Sequence, residues 1–240
     1  MEKYDNFNYQ SHYRDLKTLG GSGLEKTVFK LICRDIAKDR RAIAKILEIG
    51  FGKGDLIFKL AENNFNVSGL DISFENVKAV QNTLGERGLR ADVRQDDILK
   101  SSFDEGEFDV IVACEVIEHL TDLGEAAKEI ARILKPGGTL IVSVPYRQKV
   151  KLEECIFCHK LTPRDGHLHS FDKEKILSLF RKYDIEVEKT MIHFSKANLF
   201  PFLNKIYVFP FSWIINWFDL AISRIFGLFP PFLLVKFRKR

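Results

Sequence analysis

The sequence predicts an α/β fold in which a mostly parallel sheet carries helices on both faces. Two observations predict it. From residue 43 onward, apolar runs of strand length alternate with segments whose apolar residues recur at helical spacing. The first of those runs also opens directly into a glycine-rich turn at the head of a helix, as strand-to-helix turns in parallel sheets do.

The elements follow in order. Residues 1–40 hold a polar arm with scattered aromatics (Tyr4, Phe7, Tyr9, Tyr13) and then a first helix. Ser22 and Glu25 form its capping box, and Leu24, Val28, Leu31, Ile32 and Ile36 make its apolar stripe. The run Gly20-Gly21-Ser22-Gly23 follows no strand, so it reads as part of that cap and not as a phosphate loop. Strands are expected at 43–49, 66–71, 90–95, 108–113 and 138–144, with helices at 54–63, 74–86 and 122–134 between them. In the last of these helices Leu123, Ala126, Ala127, Ile130 and Leu134 share one face, and Pro136-Gly137-Gly138 should stop it. A helix at 171–183 and a strand at 185–193 follow.

A chain of 240 residues, 45% hydrophobic and 29% charged, can bury a full core as one domain over 1–240; disordered and fibrous classes are excluded. The net charge of +4 is unevenly spread. Residues 194–240 carry seven basic residues against Asp219 alone, with both tryptophans and ten of the 21 phenylalanines. A basic, aromatic tail on a slightly acidic body points to a surface that meets something greasy or anionic. Of the four cysteines, Cys33, Cys114, Cys155 and Cys158, only the last two are spaced as a pair, and the first residues do not form a signal peptide. A reducing, cytoplasmic setting is therefore expected. No 18 uncharged apolar residues stand in a row; the nearest approach, 206–218, is broken by Pro210.

The run ILEIGFGKGDL places Gly50, Gly52 and Gly54 after a strand, where bare main chain can lie against a ligand. Dinucleotide sites and S-adenosylmethionine (SAM) sites share such loops. Here the spacing is not the Gly-x-Gly-x-x-Gly that seats a pyrophosphate. Glu48 precedes the loop, where a carboxylate can fix a cationic amino end. Asp71 ends the second strand, where a carboxylate can accept both ribose hydroxyls.

From about Ile43 to Tyr146 the chain resembles the class I SAM-dependent methyltransferases of the ubiquinone/menaquinone-biosynthesis type. The motifs are LEIGFGKG, SGLDIS, the acidic pair Asp96-Asp97 before Ile98, EGEFDVIVACEVIEHL and RILKPGGTLIVSVP. The resemblance implies a Rossmann-like seven-stranded, mostly parallel sheet, with 43–146 as the SAM-binding core and PFLLVKFRKR as the last strand. It implies that Glu48, Gly50, Gly52 and Gly54 hold the methionine part of SAM and that Asp71 holds the ribose. Ile72 would pack on adenine, Asp97 would bond the adenine amino group beside Ile98, and Glu115 would lie near the cofactor. Phe51 stands where the family more often has a small residue, so a different pocket wall is expected there.

Methyl transfer from a sulfonium is an in-line displacement that needs alignment, plus a base where the acceptor is a hydroxyl. Glu115, Glu118 and His119 stand at i, i+3 and i+4 after the fourth strand, and His167 and His169 follow in the substrate loop 147–170. Small-RNA 2′-O-methyltransferases and polyprenyl-catechol O-methyltransferases carry a similar Glu-x-x-Glu-His with a later histidine. The resemblance to them implies Glu115, Glu118, His119 and His167 as a Mg²⁺ or Mn²⁺ site that lowers the acceptor's pKa. The alternative leaves Glu115 near the cofactor and His119 as a packing residue, with no metal. Catalytic candidates are thus Glu118, His119 and His167. A competing set, Cys155, Cys158, His159 and His167, has donors suited to tetrahedral zinc, and the two sets cannot share His167.

If the family's ending applies, residues 194–230 are a hydrophobic aromatic insertion before the last strand. Ser212, Asn216, Asp219 and Ser223 make a narrow polar stripe on an otherwise apolar helix. Trp213, Trp217 and the nearby cations suit a membrane surface; a lid over the active site and a dimer interface are the other ways to cover it. The expected function is methyl transfer from SAM to a small, lipid-like or membrane-held acceptor, in the cytoplasm or peripherally on the inner face of the membrane. RNA 2′-O-methylation and a non-catalytic membrane adaptor are the alternatives. Residues 1–193 lack the aromatic and basic track of a single-strand binder, which argues against nucleic acid.

Overall fold

The computed structural model describes residues 45–154, 159, 161–193 and 232–240. The first helix, the pair Cys155 and Cys158, and the insertion 194–230 lie outside the described residues. Nine strands and four helices follow one another: β1 (Lys45–Ile49), α1 (Asp55–Glu62), β2 (Asn66–Asp71), α2 (Phe74–Arg87), β3 (Asp92–Gln95), β4 (Phe108–Cys114), α3 (Leu123–Ile133), β5 (Leu134–Pro145), β6 (Leu152–Glu154), β7 (Leu161–Pro163), α4 (Lys173–Arg181), β8 (Ile185–His193) and β9 (Phe232–Lys239). These counts refer to the described residues.

Seven strands form one sheet in the order β3-β2-β1-β4-β5-β9-β8. The first five are parallel, and β9 lies antiparallel between β5 and β8. The strand order reverses beside β1, so a crevice opens between the C-terminal ends of β1 and β4, the usual place for ligands in such sheets. Strand alternation divides the core. Leu47, Ile49, Ile111 and Ala113 face one buried cluster with α3 and α4, while Ile46, Val110 and Val112 face another with α1 and α2.

Three local differences from the sequence reading have physical reasons. Helix α3 ends at Ile133 and Leu134 already pairs with Phe108 in β5, after which the register shifts before Thr139 meets Val110. Pro136-Gly137-Gly138 therefore shapes an irregularity within the strand and does not stop the helix. Gly137 has φ +71°, and a Cβ on Gly138 would lie 2.8 Å from the Lys135 carbonyl oxygen. Second, the substrate loop contains a hairpin, β6 with β7; strands of three mostly exposed residues leave no burial period to read. Third, β8 bulges at Glu188, whose carboxylate meets Lys236 Nζ at 2.8 Å on β9.

Candidate active site

The turn after β1 is left-handed at three points, with φ of +64° at Gly50, +52° at Gly52 and +78° at Gly54. Side chains are excluded at two of them. A Cβ on Gly50 would lie 2.5 Å from Val116 Cγ2, and one on Gly54 would lie 2.7 Å from Val80 Cγ2. Asp71, at the end of β2, braces the turn: its Oδ2 accepts from the Gly52 amide at 2.9 Å and its Oδ1 from the Ser73 amide at 2.9 Å. Burial pushes the Asp71 carboxyl up from its ordinary value, against the pull of those two amides.

The turn forms one wall of a cleft of about 1000 Å³, counting its open mouth. Gly50, Gly52, Asp71, Ile72, Asp97, Ile98 and Glu115 all line it. Ile72 is half exposed at the mouth, and Asp97 Oδ1 accepts from the Leu99 amide at 2.9 Å, which fixes that turn. Glu48 and Gly54 do not line the cleft. Glu48 shares the face of Ile46 by strand alternation, and its charge helps burial raise the Cys114 thiol pKa. Gly54 instead lets α1 approach Val80. Phe51 also departs from expectation. It is buried in the core beneath β2, where a Cβ on Gly69 would lie 2.7 Å from its ring, so it does not alter the cleft wall.

Glu115, Val116, His119 and Leu120 also line the cleft. The i, i+3, i+4 arrangement expected for Glu115, Glu118 and His119 is not α-helical. Glu115 has φ +56° and Ile117–His119 form a 3-10 turn, which points Glu115 elsewhere. Glu115 Oε1 accepts from the Ser143 hydroxyl at 2.8 Å. Glu118 is fully buried, and among the described residues neither of its carboxylate oxygens has a hydrogen-bond partner. Burial raises both carboxyls well above their ordinary value, and the Glu115 charge raises Glu118 further.

Glu118, His119 and His167 offer ligand atoms that all lie within 4.8 Å of one another. The two imidazole centroids are 4.7 Å apart, edge to face. His119 Nδ1 meets the Gly166 carbonyl at 3.0 Å, and His167 Nδ1 meets Gln148 Oε1. Both partners are acceptors, so each ring holds its proton on Nδ1 and presents Nε2 as the basic nitrogen. Loop 166–169 is fastened in place because the Leu168 and His169 amides both donate to the Glu118 carbonyl, at 2.8 and 3.2 Å. His169 Nε2 meets the Leu120 carbonyl at 2.8 Å and so acts as a further tie.

Of the residues named from sequence, the structure therefore brings Glu118, His119 and His167 together and sets Glu115 beside them against Ser143. In the zinc set, His159 is exposed with Nδ1 3.0 Å from Glu154 Oε1, and His167 belongs to the glutamate–histidine group. Cys155 and Cys158 lie outside the described residues. Sequence reasoning missed Gln148 and Ser143, whose amide and hydroxyl carry no motif and act only through the groups they orient.

Comparison with known proteins agrees with this geometry. A family model described as "Methyltransferase domain" matches residues 47–142. The ubiquinone biosynthesis O-methyltransferase of Caulobacter sp. (strain K31) is 35% identical over 102 residues, 41% of this chain and 40% of that protein. The 2-methyl-6-phytyl-1,4-hydroquinone methyltransferase of Synechocystis sp. is 37% identical over 99 residues, 41% of this chain and 31% of that protein. The chain thus spans less than half the length of the curated relatives it matches. Among solved structures, the PH0226 protein from Pyrococcus horikoshii OT3 shares the fold with a TM-score of 0.63 at 16% identity, covering 97% of this chain and 100% of that one. Phosphoethanolamine N-methyltransferase 2 of Haemonchus contortus, solved in complex with S-adenosyl-L-methionine, gives 0.59 at 16% identity, with 82% and 49% covered. Residues 47–142 thus match a methyltransferase domain, and over that stretch the chain is similar to ubiquinone biosynthesis O-methyltransferases.

Proposed function

We propose that the chain transfers the methyl group of SAM to a hydroxyl of a small, lipid-like acceptor of the quinol or catechol type. The observation that carries this reading is the convergence of Glu118 and His167 on His119, which lines the same cleft as the glycine turn and Asp71. The names of the relatives supply the acceptor class. In this reading Gly50 and Gly52 give the cofactor bare main chain, Asp71 takes the ribose, and Ile72 and Ile98 flank the adenine beside Asp97.

The acceptor oxygen attacks the sulfonium methyl in line; the new O–C bond forms as the S–C bond breaks, and the hydroxyl proton goes to an imidazole. Nε2 of His119 or His167 fits that role because each Nδ1 proton is held by a carbonyl-type oxygen. Glu118 does not fit as the base, since it is fully buried and does not line the cleft. The donor set also fits a divalent ion, with Glu118, His119 and His167 as ligands and the buried carboxylate oxygens of Glu118 awaiting a partner. Such an ion, when bound, would lower the pKa of the acceptor hydroxyl. The greasy acceptor and the basic aromatic segment 194–240 together support a peripheral position on the cytoplasmic face of the membrane.

Methyl transfer from labelled SAM to a short-chain demethylated quinol tests the reading. His119→Ala and His167→Ala should each lower kcat by about 10²–10⁴-fold, with SAM affinity changed little. Wild-type kcat in both variants, or no transfer by the native chain, would refute it.

A further inference from the structure

Beyond the end of β5 lies a second concavity of about 890 Å³ with its open mouth, walled by Arg147, Gln148, Lys149, Phe171, Asp172 and Lys175, among others. None of its residues lines the cofactor cleft. Its charge is one-sided. Arg147, Lys149 and Lys175 bring three cations, and among the described residues none of them forms an ion pair; Lys175 Nζ donates to the Ser170 carbonyl at 2.9 Å. The one carboxylate on the wall, Asp172, is engaged as the cap of α4, accepting from the Lys175 amide at 2.9 Å. That carboxylate offsets the positive end of α4, so the positive charge of the wall comes from the three side chains.

The place is held firmly. Arg147 has φ +53°, costly for a side-chain-bearing residue, and is kept there by its amide donating to the Phe171 carbonyl at 2.7 Å and by the bridge of Tyr146 to Phe171. Gln148 connects the concavity to the candidate active site. It lines the basic wall, and its Oε1 accepts from His167 Nδ1. The concavity is thus one side chain from His167.

We propose that this pocket seats an anionic group of the methyl acceptor, a carboxylate or a phosphate, on Arg147, Lys149 and Lys175. The acceptor's hydroxyl then reaches His119 and His167 while its anion anchors the other end. The planar fork of Arg147 suits bidentate contact with two oxygens, and the lysines add charge. The assignment of this anion to the methyl acceptor rests on the methyl-transfer reading above; the anion site itself does not.

The test separates the two. The full chain, saturated with S-adenosylhomocysteine so that the cofactor cleft is filled, is titrated calorimetrically with inorganic phosphate and with benzoate at constant ionic strength. At least one should bind with a dissociation constant on the order of 1 mM, and the tighter one identifies the anion class. Arg147→Glu with Lys175→Glu should weaken that binding at least about tenfold while S-adenosylhomocysteine still binds, which reports an intact fold. In turnover, a catechol bearing a carboxylate (3,4-dihydroxybenzoate) should show a lower KM than catechol itself, and the double variant should erase the difference. If neither anion binds, or binding survives the double variant, the pocket is not an anion seat. If both anions behave as expected but neither catechol is methylated, the acceptor reading fails and the anion site stands.

Discussion

Replacing Gly50 by alanine combines two costs that the structure allows to be counted apart. The backbone there is left-handed, φ +64°, which disfavours any residue with a Cβ by about 1–2 kcal/mol. The added Cβ would also stand 2.5 Å from Val116 Cγ2 and 3.4 Å from Cγ1. Valine has one preferred rotamer in most settings and two γ-carbons to move, so overpacking should add about 1–3 kcal/mol. The total is about 2–5 kcal/mol. Gly52→Ala shares the first cost, φ +52°, but meets open space, and should lose only about 1–2 kcal/mol. Urea unfolding of both variants measures the difference. The double change Gly50→Ala with Val116→Ala should then recover the overpacking part, a coupling of about 1–3 kcal/mol. Val116 adjoins Glu115 and lines the cleft, so Gly50→Ala should also weaken S-adenosylhomocysteine binding, and the double change should restore part of it. Equal losses at the two glycines, or no recovery in the double variant, would refute the contact with Val116 as the reason for glycine at position 50.

Three further outcomes are expected. Asp71→Ala should leave the Gly52 and Ser73 amides unpaired and lower SAM affinity by about 1–3 kcal/mol in calorimetry; wild-type affinity in a folded variant would remove Asp71 from the site. Glu118 has its folded pKa raised, so its contribution to stability is complete below the ordinary carboxylate value and is lost as pH rises toward the folded one. Glu118→Gln should therefore be more stable than wild type at pH about 8 in chelator, by at least about 1 kcal/mol, with the gap closing near pH about 4 in urea unfolding. Finally, Trp213→Glu with Trp217→Glu should release the chain from anionic vesicles in a flotation assay while S-adenosylhomocysteine affinity is kept; a native chain that ignores such vesicles at low salt would end the membrane reading.

The centre of the sheet was legible because β1, β4 and most of β5 are buried on both faces and flanked by helices of clear period. Runs such as Ile46–Ile49 and Val110–Ala113 need no partner to be recognised. Residues whose role depends on a distant neighbour were not legible. Lys236 reads as one cation of a basic tail, yet in β9 it is nearly buried against the bulged Glu188. Phe51 reads as an intruder in a glycine loop until the missing side chain of Gly69, eighteen positions on, shows where its ring goes. The motif around Glu115 placed Glu115, Glu118 and His119 on one helical turn, which the structure does not have. Spacing alone cannot tell a 3-10 turn with a left-handed residue before it from an α-helical turn.

The most informative feature of the site is its thermodynamic cost. Glu118 is fully buried with its carboxylate oxygens unpartnered among the described residues, beside a second raised carboxyl. A purely structural residue at that point would do better as an apolar side chain of similar volume, because an unsatisfied buried carboxyl costs several kcal/mol at neutral pH. Nor is the cost local. His119 is tied to Gly166, 47 residues away, and the Glu118 carbonyl itself holds the amides of Leu168 and His169. The same short turn that buries the carboxyl thus fixes the loop bearing His167, and through Gln148 it fixes the basic wall beyond. A costly acidic group and two imidazoles lie together, and Gln148 links them to a cationic pocket. That gradation from buried acid to exposed cation would orient an acceptor with one proton to lose and one charge to anchor.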